Sequence, residues 1–197
     1  MSPISRHSER STGFFRLFAA ALGLAAALYA ARLAIAPQRG LQAEYFASEH
    51  PGGTPALSGI DSVVTTDRIF RRWYGAMPDT FSAQWFGYLT APRAGRYTIA
   101  LTSDDAAQLS IDGRRVIDNG GRHAATTRTA EVELSSGPHP VLIELTQYGG
   151  DFAIGWMWGR NAQSLSPVPS WATSPYKAPY WRVMVIWNTS LCDFSDP

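Results

Sequence analysis

From residue 41 onward the chain keeps returning to a two-residue alternation, and this constrains its fold more than any other feature. Residues 41–46 alternate as a first strand, and residues 81–89 read as a long second one. Residues 96–102 put Tyr97, Ile99 and Leu101 on one face. Residues 129–134 set Ala130, Val132 and Leu134 against Glu131 and Glu133. Residues 141–146 and 152–158 follow, the latter aligning Phe152, Ile154, Trp156 and Trp158. Such a period presents opposite faces of a strand, whereas a helix repeats near 3.6 residues. Gly, Pro, Asn and Asp punctuate the runs as turn residues. No stretch after Ala36 shows convincing helical periodicity, and residues 62–73 are ambiguous, with Val63-Val64 and Ile69-Phe70 fitting short extended pieces. The expected fold is all-β and antiparallel, a sandwich or a barrel-like domain over residues 40–160. A proline-rich tail occupies 161–197.

The N-terminus is of another kind. Residues 14–36 are apolar except for Arg16 and Arg32 near the two ends. As a helix they would extend ~34 Å, enough to cross a hydrocarbon core of about 30 Å. Arg6, Arg10 and Arg16 oppose the single Glu9, so the positive-inside tendency places residues 1–13 in the cytoplasm and the rest of the chain outside it. The rival is a cleaved signal peptide ending at Ala34-Ile35-Ala36. Pro37 and the length of the run favour an uncleaved signal-anchor. The expected localisation is therefore a single-pass membrane protein with a periplasmic or cell-surface domain.

Composition removes several function classes. A net charge of +1 with only 17% charged residues leaves no basic stripe for nucleic acid. Cys192 is the sole cysteine, which excludes an internal disulfide and a cysteine-based zinc site. There is no nucleophile elbow, phosphate loop or zinc-protease helix motif, so no catalytic residues are assigned.

Chemistry concentrates in residues 101–121, where Asp104 and Asp105 stand side by side. Adjacent carboxylates suit either a hard cation or an Asx turn that satisfies backbone amides. They cannot flank a glycosidic bond as an acid and base pair must. Asp112-Gly113 and Asp118-Asn119-Gly120-Gly121 read as turns. Glu131 and Glu133 read as a solvated strand face, and Trp156 and Trp158 as core.

The ordered series of 40–46, 81–89, Gly95-Arg96-Tyr97, Ser103-Asp104-Asp105, Ile111-Asp112-Gly113, 116–119 and 137–143 resembles the PA-14 domain. That module was first named in the anthrax toxin protective antigen and occurs in fungal adhesins and bacterial glycosidases. The resemblance implies a β-sandwich or barrel-like fold. In lectin-like members it also implies calcium-dependent sugar binding through an Asp pair joined by a cis peptide. Carried over, Asp104 and Asp105 match that pair. The loop after 141–146, Gln147-Tyr148-Gly149-Gly150-Asp151, matches the one that completes the ion's shell. Gln147 stands where the adhesins tend to have Asn, and Ala106 replaces a common glycine. The implied Ca2+ ligands are Asp104, Asp105, Gln147 and Asp151. Tyr148, Gly149 and His123 are the candidates for sugar contact, although a lone loop histidine is also compatible with simple exposure.

The function expected is thus a membrane-anchored, extracytoplasmic carbohydrate-binding module whose partner is a glycan or envelope polysaccharide. The rivals are an accessory domain of a larger membrane glycosyltransferase or other glycan-processing enzyme, and a ligand-free structural or protein-interaction domain.

Overall fold

The structure is a computed structural model that describes residues 18–28, 38–74 and 76–176. The chain divides into two units, Met1–Pro37 and Gln38–Pro197. In the first, residues 18–28 are helical, with Phe18, Leu22, Leu24 and Leu28 exposed. Among the described residues no helix is long and apolar enough to cross a membrane. Most of the expected 14–36 span, residues 1–13 and the tail beyond 176 lie outside the described residues.

The second unit is built from strands. β1 (Leu41–Phe46), β2 (Leu57–Asp61), β3 (Phe81–Ala91), β5 (Ala106–Ile111), β6 (Arg114–Asn119) and β8 (Gly137–Gln147) form one antiparallel sheet in the order β2-β1-β3-β8-β5-β6. β4 (Gly95–Asp104), β7 (Thr126–Leu134), β9 (Ala153–Gly159) and β10 (Ser166–Pro167) form the other, ordered β10-β9-β4-β7. Neither sheet closes on itself, which resolves the choice between sandwich and barrel in favour of two separate sheets.

The alternation seen in the sequence decides which side chains enter the core. Leu41, Tyr45, Trp85, Leu109 and Ile143 from the first sheet share one cluster with Ile99, Leu101, Ile154 and Trp156 from the second. Burying each such side chain contributes roughly 1.5–3 kcal/mol. Trp156 and Trp158 are buried and Glu131 and Glu133 exposed, in agreement with their alternation. At Asp112 (φ 53) and Gly113 (φ 74) two successive positive φ values close the β5–β6 hairpin, the geometry a two-residue turn demands.

Three details differ from the sequence reading. Residues Thr66–Trp73 are an α-helix, capped by the Thr65 side chain, which accepts from the Arg68 N–H. Only Ile69 and Trp73, one turn apart, face inward, so the apolar signal is two residues long. Second, the sheets continue past residue 160. β10 pairs with β9, and β11 (Thr173–Ser174) pairs with β3 at Leu89 and Tyr88, just beyond the stretch that β1 covers. Val168 and Ala172 are buried in the core. Third, Asp118 and Asn119 belong to β6 instead of a turn.

Candidate functional site

The two sheets meet at the Asp pair. β4 ends at Asp104, opposite Ala153 at the start of β9, while β5 begins at Ala106, opposite Thr146 near the end of β8. The Asp104-Asp105 peptide, which is cis, lies where the chain crosses from one sheet to the other. Because β8 leads into β9 through residues 148–152, strand register alone brings that loop beside the pair. Gly149 (φ 116) and Gly150 (φ 86) permit its tight course.

Asp105 is buried. Its Oδ1 accepts the His123 N–H at 3.0 Å and its Oδ2 the Tyr148 N–H at 3.0 Å. One carboxylate therefore fastens two loops through neutral donors. Its own backbone N–H donates to Gln147 Oε1 at 3.0 Å, and Gln147 Nε2 donates to the Asp151 carbonyl at 2.8 Å. Both ends of the Gln147 amide are thus engaged, and the extra methylene relative to Asn gives the reach to span the loop. Asp104 is half-exposed, and its carboxylate forms no hydrogen bond or ion pair among the described residues. Neither member of the pair has a Lys or Arg partner there. The site consequently carries two adjacent carboxylates with no Lys or Arg counter-charge among the described residues.

The remaining candidates surround this centre. Tyr148 is half-buried; its ring lies under the Arg122 guanidinium, 5.1 Å from the centroid, and its carbonyl accepts from Arg122 Nη2 at 3.3 Å. Gly149 is exposed on the loop. Asp151 is exposed, and among the described residues no three His, Cys, Asp or Glu side chains converge, so its carboxylate does not join the pair. His123 is half-buried, with Nδ1 3.0 Å from the Ala124 carbonyl and Nε2 3.1 Å from that of Asn119. Two acceptors can both be served only when both ring nitrogens carry protons. Those carbonyls raise the His123 pKa above 6.5, and Asp105 and Asp104 add to the rise.

The sequence reading missed two supports. Asn119, buried at the end of β6, donates through Nδ2 to Ser103 Oγ at 2.7 Å and to the Thr126 carbonyl at 2.9 Å. It ties β6 to β4 and to the start of β7, and so fixes the loop that carries His123. Its place in a turn-like Asp-Asn-Gly-Gly run concealed the role. Arg122, next to His123, was the second omission.

A different acidic centre lies at the end of β2. Asp61, whose side chain is wholly buried, accepts at Oδ1 from Arg68 Nε and Arg72 Nε, both at 2.9 Å. At Oδ2 it accepts from Trp85 Nε1 at 2.9 Å and from the Tyr45 hydroxyl. Burial first, and then Asp61, hold that hydroxyl protonated far above the ordinary tyrosine range. Arg72 reaches Asp61 across Gly59 (φ +158), where a Cβ would stand 2.7 Å from the guanidinium.

The PA14 domain profile matches residues 37–175, and the chain belongs to this family. An anti-sigma factor domain-containing protein from Clostridium clariflavum superposes with a TM-score of 0.60 at 24% identity, covering 71% of this chain and 48% of that one. The chain thus spans about half the length of that relative. A PA14 sugar-binding domain from an RTX adhesin gives a TM-score of 0.58 at 18% identity, covering 70% of this chain and 98% of the adhesin domain. The Epithelial Adhesin 6 A domain from Candida glabrata, in complex with Galb1-3GlcNAc, gives 0.53 at 11%, with 72% and 89% covered. At these identities the likeness shows a shared fold. No curated protein matches the chain.

Proposed function

We propose that this chain is a carbohydrate-binding module in which Asp104 and Asp105 hold Ca2+ and the surrounding loops present a glycan. One observation carries the reading: two adjacent carboxylates, without a Lys or Arg partner among the described residues, stand at a sheet crossover where the 148–152 loop and the His123 loop converge. Their oxygens fit a hard cation in kind, since a carboxylate oxygen retains acceptor capacity after one N–H contact. Asp104 would offer its free carboxylate and Asp105 its remaining lone pairs, with loop carbonyls or water completing the shell. In this reading Gln147 positions the loop, and Asp151 contributes its backbone. Bound calcium would offset the paired negative charge and supply open coordination positions to sugar hydroxyls. Tyr148, held by Arg122, is the side chain placed to meet a sugar face.

The sugar-binding adhesin domains among the structural relatives support this reading. The apolar 14–36 run and the exposed apolar side chains of residues 18–28 support a membrane anchor that holds the domain outside the cytoplasm. Partial coverage of a longer structural relative favours a second arrangement, in which the same module serves as an accessory domain beside a separate activity.

The test is a glycan array probed with the full chain in mild detergent, with calcium and then with chelator. Binding that disappears with chelator and with Asp104→Ala supports the proposal. Glycan binding indifferent to both would remove calcium from the mechanism, and no binding to any glycan would remove the sugar.

A further inference from the structure

The helix Thr66–Trp73 borders a cleft of about 560 Å³ lined by Arg68, Phe70, Arg71, Arg72 and Tyr74. Its charge does not balance. Arg68 and Arg72 bring two positive charges to one Asp61 carboxylate, leaving one unit of positive charge over. Tyr45 stays neutral beside them and Trp85 is uncharged, so nothing else in the cluster removes it. Both guanidiniums also donate through Nη2 to the Ile60 carbonyl, at 3.2 and 2.8 Å, and neither Nη1 makes a hydrogen bond among the described residues. The donors that remain belong to partly exposed side chains, at 33% and 24% exposure, where an anion would meet a less screened charge than on open surface. Arg71 adds an exposed guanidinium, paired among the described residues only with the equally exposed Asp67 at 2.8 Å.

The rim of the cleft is aromatic. Tyr74 is 93% exposed and holds a left-handed backbone (φ 46) at the helix C-cap, a position where glycine would be easier. Phe70 is 54% exposed and packs at 5.0 Å against Phe152, which follows Asp151 directly. Two aromatic surfaces beside a surplus of guanidinium form a matched pair of recognition elements, one for a ring face and one for an acid group.

We propose that this cleft is a second, calcium-independent subsite that takes the acid group of an anionic glycan against Arg68, Arg71 and Arg72, with the sugar ring against Tyr74. It extends the carbohydrate reading to a ligand class, acidic polysaccharide, but does not depend on the Asp104-Asp105 site.

The probe is trigalacturonic acid, titrated by biolayer interferometry onto the immobilised full chain in calcium-free buffer. The uncharged methyl ester and inorganic phosphate serve as controls. The acid should bind, its ester should bind at least about tenfold more weakly, and Arg71→Glu should weaken the acid by about tenfold or more with an unchanged melting temperature. Phosphate should bind more weakly than the sugar acid, and Tyr74→Ala should abolish that difference. Equal binding of acid and ester, no effect of either variant, or binding that appears only when calcium is added would each overturn the proposal. The last result would place the acid at the Asp pair and leave the calcium reading intact.

Discussion

Asp61 and Asp105 are both buried carboxylates in one domain, and their surroundings are opposite. Asp61 faces two guanidiniums, a hydroxyl and an indole, so positive charge exceeds negative around it. Asp105 faces two backbone amides and lies next to a second carboxylate, so negative charge exceeds positive. The first arrangement locks β1, β2, β3 and the helix together without any ligand. In the second, charge is balanced only partly, by backbone amides and the nearby His123, and a cation would complete it. Burial alone therefore does not distinguish a structural acid from a binding one; the sign of the residual charge does.

That contrast fails if the two residues respond alike to neutralisation. Asp61→Asn should be the most damaging change, costing about 3–5 kcal/mol in urea unfolding, because it leaves two partly buried guanidiniums without their counter-charge. Asp105→Asn, measured without calcium, should cost about 1–3 kcal/mol, since one of two N–H donors then faces an NH2 group. An Asp105 variant more damaging than the Asp61 variant would reverse the assignment of roles.

Much of this was legible in the sequence because strand alternation records which face is buried. The Trp156 and Trp158 face, the outward Glu131 and Glu133 and the Asp112-Gly113 hairpin all followed from local pattern. The loop beside the Asp pair was legible only through the family resemblance, since residues 105 and 147 are brought together by register between β5 and β8. The Asp61 cluster was the least legible part. Its helix is eight residues long with two inward apolar positions, and its acid sits before a stretch whose pattern is ambiguous. A signal did exist: Arg68 and Arg72 are spaced four apart behind a Thr65 cap, as a one-faced helical pair must be. Gln147 shows the converse, where family likeness suggested a ligand and the structure places both ends of its amide on backbone groups.

A smaller effect should mark the rim of the Asp pair. His123, held above 6.5 by the Ala124 and Asn119 carbonyls, should titrate in a chelated sample at a higher pH than an unfolded histidine. The stability linked to its proton should be complete below pH 6.5 and lost as pH rises through the folded value. Exposure to solvent keeps this contribution slight. An NMR titration that places His123 at or below 6.5 would contradict the double-carbonyl geometry.

The most direct measurement is calcium calorimetry of the full chain in detergent, paired with thermal unfolding. One ion should bind per chain and stabilise the folded state by about 2.7 kcal/mol at a hundredfold excess over Kd, which raises the melting temperature. Asp104→Asn, which removes a carboxylate that forms no hydrogen bond or ion pair among the described residues, should leave calcium-free stability unchanged and abolish the calcium response. Wild-type protein that takes up no calcium, or an Asp104→Asn variant that takes it up equally well, would contradict the assignment of the Asp pair as the cation site.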